Sequence, residues 1–407
     1  MNVIDLFAGA GGLSEGFRQE GYKVLAHVEM DKNACNTLRT REAFFYLKEQ
    51  DQLEIYKQYL LKEIGRSELY KSIPSNILNK VIESEISNKS IKGIFAKIDG
   101  LLGNEKVDII IGGPPCQAYS TAGISRDPNK MKDDPRNYFY RYYIRFLKEY
   151  NPKLFIFENV KGILTAKGGT IFESLKKSLS NAGYEMDYRV LNAKNFGVAQ
   201  SRERVIIIGW RSDFHFNYPD FSNSVKSINI RELFKDLPKL HAGQKKEGQG
   251  QYLSVAKGNL KEIRDTNWDI LTYHIARPNN QNDLQIYELV VDTWDKEDRG
   301  LKYNELPKDL ITHKNSESFL DRYKMVQYDS CSHTIVAHIS KDGHYYIHPD
   351  KKQNRSLSVR EAARIQSFPD DFYFEDSRTA AFKQIGNAVP PLMAKKIARH
   401  LKAQIFN

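Results

Sequence analysis

The chain has 407 residues, 41% of them hydrophobic and 28% charged, enough to bury a sizeable core and, at roughly 100 to 200 residues per domain, to suggest two domains rather than a fibrous or disordered chain. Lysine plus arginine exceeds aspartate plus glutamate by 61 − 51 = 10, so the surface attracts polyanions. No apolar run approaches the roughly 18 residues of a membrane span, no basic segment with an apolar core opens the chain, and Cys35, Cys116 and Cys331 are too few for a disulfide framework; the expectation is an enzyme of a reducing, cytoplasmic compartment.

Residues 1 to 40 predict strand, glycine turn, helix, strand: VIDLF is apolar, GAGG breaks it, LSEGFRQEG is amphipathic, and KVLAHVEMD is a second strand. Residues 41 to 97 are rich in lysine and glutamate, with Ile55, Tyr59, Leu60 and Ile64 at helical spacing and a break at KSIPSN, which predicts a helical insertion. A short strand is expected to end near Asp99. Apolar strands resume at KVDIIIGG, PKLFIFENV and RVIIIGW, with a helical stretch from Phe172 to Ala182. Strands alternating with helices imply an α/β fold, a mostly parallel sheet with helices on both faces, over residues 1 to 210.

Residues 211 to about 355 carry short apolar pieces, eight of the ten histidines, and 22 basic against 21 acidic side chains. They predict a smaller mixed domain, extended by a hinge to residue 375. The segment 376 to 407 is expected to return to the first domain, and residues 351 to 407 are basic, 11 to 5. SVREAARIQSF and PPLMAKKIARHLKAQ read as amphipathic helices, with FKQIGNAVPP as a glycine and proline loop between them.

Asp5-Leu-Phe-Ala-Gly9-Ala-Gly11-Gly12 closes the first strand, where open α/β sheets bind ligands. A dinucleotide fingerprint would place a glycine or alanine where Ser14 stands. Glu29 ends the second strand, placed to accept hydrogen bonds from ribose hydroxyls, and Asp99 is the candidate for an adenine amino group. Gly112-Gly-Pro-Pro-Cys116-Gln117 follows a buried strand, and its prolines fix the backbone that presents the thiol. Glu158 ends the next strand, and Gln200-Ser-Arg202-Glu-Arg204 leads into the one after. In a parallel sheet these ends converge on one crevice, which would then hold a thiol, a carboxyl group and two guanidinium groups.

These segments resemble, in order, the motif series of the cytosine-5 DNA methyltransferases: DLFAGAGG, GGPPCQ, ENV, QSRER, SVREAARIQSFP and KQIGNAVPP. The resemblance covers about two thirds of the chain and departs from the family's pattern in the long segment 41 to 97. It implies a Rossmann-like fold that binds S-adenosyl-L-methionine, with a target recognition domain in the variable stretch. It further implies that Cys116 adds to carbon 6 of cytosine to make an enamine, with Glu158 as acid and hydrogen-bond partner. Arg204 would contact the base carbonyl oxygen and hold the glutamate, and Arg202 would support the loop. Cofactor contacts carried over in the same way are Phe7, Gly9, Gly11, Gly12, Glu29, Met30, Asp99, Pro114, Asn387 and Val389.

The base must leave the duplex, because carbon 6 is unreachable in the stack. The stretch after the nucleophile resembles the family's mobile catalytic loop, so Gln117, Ser120, Arg126 and Arg136 are expected DNA contacts, Arg136 on phosphate. Thr334-Ile335 resembles the short threonine plus aliphatic signature of the recognition domain, which would read duplex DNA through the major groove, so Thr334 is a further expected DNA contact. No metal is expected, since the histidines lack a paired cysteine pattern. A companion restriction endonuclease is a possible partner, and no obligate protein partner is evident. The alternatives are an RNA cytosine methyltransferase of the same family, disfavoured by the sizeable recognition segment, and a silent DNA-binding regulator, disfavoured by the intact Cys116, Glu158, Arg202 and Arg204.

Overall fold

A computed structural model describes residues 1–115, 139–222, 225–312, 315 and 317–406. Seven strands form the central sheet: β1 (Asn2–Leu6), β2 (Lys23–Glu29), β3 (Val81–Glu83), β4 (Ile109–Gly112), β5 (Leu154–Asn159), β6 (Tyr184–Asn192) and β7 (Glu203–Arg211). Their spatial order is β3-β2-β1-β4-β5-β7-β6. The pairs from β3 to β5 are parallel, and β7 runs antiparallel to both β5 and β6. The apolar runs that predicted strands, such as Ile109, Ile110 and Ile111, are fully buried on both sides, as a sheet covered on two faces requires. The chain leaves β1 toward one edge and returns through β4 toward the other, so a crevice opens at the carboxyl ends of β1 and β4.

The first helices are α1 (Gly12–Gln19), α2 (Lys32–Glu49), α3 (Leu53–Leu60), α4 (Arg66–Lys71), α5 (Ser75–Leu78) and α6 (Ile91–Leu102). Next come α7 (Phe139–Tyr150), α8 (Gly162–Thr165), α9 (Thr170–Ser180), α10 (Ile230–Phe234) and α11 (Gln281–Glu297). The last are α12 (Val359–Ile365), α13 (Arg378–Asn387) and α14 (Pro391–Phe406). One face of the sheet is covered by α6, α7 and α9 through Ile94, Ile98, Tyr143, Phe146 and Leu175. The other is covered by α1 and α14 through Leu13, Phe17, Met393, Ile397 and Leu401. Gly16 permits that second contact: a Cβ there would lie 2.3 Å from the Lys395 nitrogen.

Three expectations need correction. The span 41 to 97 is not simply a helical insertion, because it supplies β3, the edge strand of the sheet, and the start of α6. Its helices also have a partner: Phe44, Leu47, Tyr56, Leu60 and Leu69 pack with Trp268 and Ile270, and the Tyr56 hydroxyl donates to the Asp371 carbonyl at 2.9 Å. Asp99 lies on α6, not at a strand end. There Ile91, Ile94 and Ile98 repeat at helical spacing and bury one face on the sheet, and Asp99 falls on the exposed side. FKQIGN is the second half of α13 rather than a loop; the Ser377 hydroxyl caps this helix by accepting from the Ala380 N–H.

Beyond the sheet, a second core joins Ile230, Leu233, Leu260 and Leu271 to Ala363, Phe368, Phe382 and Ile385. A third surrounds α11 through Ile286, Val290, Tyr303 and Met325. The helix α12 connects the layers by buried charge. Arg364 is fully buried between Asp236 and Asp370, at 2.5 and 2.6 Å, and Arg355 pairs with Glu361 at 2.7 Å.

Candidate active site

A cavity of about 550 Å3 opens at the carboxyl ends of β1, β2 and β4, within the range of small-molecule sites. One end is organised by Glu29. The Gly9 N–H donates to Oε2 at 2.8 Å, and the Met30 and Asp31 N–H groups donate to Oε1 at 2.8 and 2.7 Å. Burial pushes this carboxyl group above its ordinary pKa, while the three N–H donors pull the other way. Phe7 lines the same cavity with a left-handed backbone, φ 55°, which costs a residue with a Cβ about 1 to 2 kcal/mol.

Gly12, Asn387 and Val389 line the far wall, and a Cβ on Gly12 would lie 2.2 Å from the Val389 carbonyl oxygen. Met30 lies at the rim, exposed. Gly11, at φ 80°, turns the chain into α1 and does not line the cavity. Asp99 is also away from it; its carboxylate accepts from the Tyr150 hydroxyl. The place expected for Asp99 is taken by Ser84, Glu85 and Ile86, which follow β3. The signal for them was faint: a strand of three residues, VIE, inside a charged helical stretch. Asp31 and Lys383, paired at 2.8 Å across the rim, were likewise not anticipated.

The other end of the cavity contains Glu158 and Arg204. Their strands β5 and β7 are neighbours, and the Arg204 Nε lies 2.8 Å from Glu158 Oε1. Gly113 leaves room for the carboxylate, since a Cβ there would sit 2.5 Å from Glu158 Oε2. Pro114 and Pro115 line the cavity, and Asn159 Nδ2 donates to the Pro114 carbonyl at 3.2 Å. The strand end that supplies Glu158 thus also anchors the loop leading to Cys116. Cys116, Gln117, Ser120, Arg126 and Arg136 lie outside the described residues.

Arg202 does not join this pair. It is 1% exposed and donates to the carbonyls of Ile335 and Gly386 at 2.7 and 3.2 Å, so its part is to position segments rather than to touch a base. Thr334 is tied down in the same place, its hydroxyl donating to the Ser201 carbonyl at 2.7 Å.

A carboxylate-anchored cavity with a Glu–Arg pair on its wall beside Gly113, Pro114 and Pro115 narrows the possibilities, and comparison decides between them. The sequence matches the profile of the C-5 cytosine-specific DNA methylases, with residues 1–67 and 53–403 matched. The chain belongs to that family. It is 42% identical to the type II methyltransferase M.Bpa9945I of Bacillus paralicheniformis, over 99% of this chain and 98% of the relative. It is 29% identical to the type II methyltransferase M1.HphI of Haemophilus parahaemolyticus, over 98% of this chain and 86% of the relative. In fold it is similar to a prophage-encoded E. coli chain assigned as a DNA modification methyltransferase, with TM-score 0.65, 22% identity and all of both chains covered. The protein is a DNA methyltransferase of the cytosine-5 class.

Enzymes of this class use S-adenosylmethionine in general, and the cavity suits it. Five carboxylates line the cavity, Asp5, Glu29, Asp31, Glu85 and Glu158, against Arg204 and Lys383, a negative balance that suits a sulfonium cation, and Gly9 offers bare backbone, with nothing within 4 Å of where a Cβ would stand.

Proposed function

We propose that the protein methylates carbon 5 of a cytosine flipped out of a specific duplex DNA sequence, with Cys116 as covalent nucleophile. The observation that carries this reading is the Glu158–Arg204 pair at 2.8 Å on the wall of the cavity that also holds the anchored Glu29. Cys116 follows cavity-lining Pro115 directly in the chain. Its thiolate adds to carbon 6 and turns the ring into an enamine. Glu158 hydrogen-bonds ring nitrogen 3 and supplies its proton as charge develops there. Arg204 keeps the carboxylate in place and donates to the base carbonyl oxygen. Bound S-adenosylmethionine supplies an electrophilic methyl group. Carbon 5 of the enamine takes that methyl group. The carbon 5 proton then passes to water, the C–H electron pair restores the carbon 5–carbon 6 double bond and expels the Cys116 thiolate, and the nitrogen 3 proton returns to Glu158, which releases 5-methylcytosine.

In this reading Glu29 takes the ribose hydroxyls, Phe7 the adenine face, and Glu85 the adenine amino group in place of Asp99. The backbone at Gly9, Gly12, Asn387 and Val389 closes around the remainder. Gln117, Ser120, Arg126 and Arg136 belong to the loop that meets DNA beside the extruded base, and residues 211 to 375 form the recognition domain, with 376 to 407 returning to the catalytic unit. The type II naming of the relatives supports a companion endonuclease for the same site in a bacterial cytoplasm.

Bisulfite sequencing of DNA from cells expressing the chain names the target. A duplex carrying 5-fluorocytosine at that position should then form a denaturation-resistant adduct in the presence of S-adenosylmethionine, and Cys116→Ser should abolish it. Undiminished adduct in that variant would remove Cys116 from the mechanism.

A further inference from the structure

The strip Ser332 to Ala337 lies along the segment that leads into β7. The Ser332 N–H donates to the Ala199 carbonyl and the Ser201 N–H to the Ser332 carbonyl, each at 2.8 Å, and Thr334 adds its hydroxyl bond to Ser201. From this strip two routes run inward through buried polar groups. In the first, the Ile335 N–H donates to Gln200 Oε1 at 2.7 Å, Gln200 Nε2 donates to Gln366 Oε1, and Gln366 Nε2 donates to the Ala388 carbonyl at 2.5 Å. Both glutamine side chains are 0% exposed. In the second, Arg202 holds the carbonyls of Ile335 and Gly386 together.

Both routes end on the wall of the cofactor cavity, since Ala388 lines it and Gly386 is followed directly by the lining residues Asn387, Ala388 and Val389. Nothing soft intervenes. A Cβ on Gly386 would lie 2.3 Å from both the Val336 carbonyl carbon and the Ala337 nitrogen, so the backbones of the strip and of α13 are in direct contact. Meanwhile the side chain of Val336 is 41% exposed on the outer side. Each amide of the relay is donor on one side and acceptor on the other, so a shift of the strip cannot be absorbed without breaking a buried bond or moving the cavity wall.

We propose that Gln200 and Gln366 are positioning residues that couple occupancy of the cofactor cavity to engagement of DNA by the Ser332–Ala337 strip. The proposal rests on the reading above that this strip belongs to the DNA face. Coupling between two sites is reciprocal and usually five-fold or more in affinity. S-adenosylhomocysteine should therefore bind the full-length protein about five-fold or more tightly when the duplex identified by bisulfite sequencing is present, and should tighten that duplex by the same factor.

The test is calorimetry with S-adenosylhomocysteine alone, duplex alone, and each in the presence of the other. Gln366→Met and Gln200→Met keep the volume and remove the relay. They should retain both separate affinities within about two-fold while the mutual enhancement falls below about two-fold. An enhancement that persists in the variants overturns the proposal, as does its absence in the wild type, an arm that needs no variant to fold. Loss of both separate affinities in a variant overturns it too, by making the glutamines merely structural. Val336→Glu separates the two readings: if the duplex binds this variant as well as the wild type, the strip is not on the DNA face, and the failure lies there rather than in the relay.

Discussion

Glu29 illustrates how one side chain can hold backbone and still face a cavity. Its carboxylate already accepts three N–H groups from the loops after β1 and β2, which aims it and keeps Gly9 and Met30 at the rim of the cavity. Glu29→Ala should weaken S-adenosylmethionine binding by about 1.5 to 3 kcal/mol, the range for a hydrogen bond to a charged group, with the folded state retained; unchanged affinity by calorimetry would take the residue out of the cofactor site. Glu158 has a different job. Glu158→Gln keeps the shape and an acceptor for Arg204 but removes the ionisable group, so single-turnover methyl transfer should slow by about 10² to 10⁴-fold, typical of a lost general acid, while S-adenosylhomocysteine affinity stays as in the wild type. A rate within a few-fold of wild type would show that no proton passes through this carboxyl group.

At the scale of elements, α12 and the residues that lead into it combine complete burial with charge. Arg355, Arg360 and Arg364 are each 0% exposed. Arg360 is held by the Thr272 and Phe372 carbonyls at 3.0 Å each, and Arg364 by two carboxylates. The Ser358–Glu361 capping box starts the helix. Such a network adds little net stability over a well-packed apolar core, but breaking it leaves an uncompensated buried charge. Asp370→Asn should therefore destabilise the protein by about 3 to 5 kcal/mol, read as a lower urea midpoint; a change under about 1 kcal/mol would mean that water or Asp236 takes over the charge. The helices α2 to α5 show another use of an element. Their contacts with Trp268, Asp371 and Glu375 brace the part of the chain after β7 against the sheet, which gives the long segment 41 to 97 a structural purpose beyond a solvated surface.

For the molecule as a whole, acid sensitivity follows from the buried histidines His274, His333 and His348 in the part of the chain after β7. Burial lowers the pKa of His274 and His333 to about 4 and of His348 to about 3. Their rings are already committed: His274 Nε2 is 2.7 Å from the Pro238 carbonyl, and His348 Nδ1 accepts from the Asp350 N–H at 3.1 Å. The unfolded chain takes up these protons near pH 6.5 and the folded one does not, so their stabilisation is complete above that value and is lost as pH falls toward 4, by up to about 1.4 kcal/mol per pH unit for each group. His348→Gln should accordingly lose less stability than the wild type between pH 7 and pH 5, measured as the shift in urea midpoint. Equal shifts in the two proteins would remove His348 from the acid response. His27, whose pKa is raised beside Asp5 and Glu42 despite its burial, works in the opposite direction in both proteins, so the comparison cancels it.

The strand ends were legible in the sequence because a buried parallel sheet demands continuous apolar runs, and the residues at or just past their carboxyl ends, Glu29, Gly113 and Glu158, then open on the crevice. Motif order added the family and the pairing of Glu158 with Arg204. What local pattern could not decide was which of two apolar periods wins in a short, charged stretch: Val81–Glu83 became the edge strand and Ile91–Leu102 a helix, which put Glu85 rather than Asp99 on the cavity wall. The resemblance gave Arg204 the glutamate and Arg202 a supporting part, but nothing in local pattern named what Arg202 would hold. Only the tertiary structure turns one toward the cavity and buries the other against Ile335 and Gly386, because a guanidinium group with no access to water must go where main-chain carbonyls from distant parts of the chain converge.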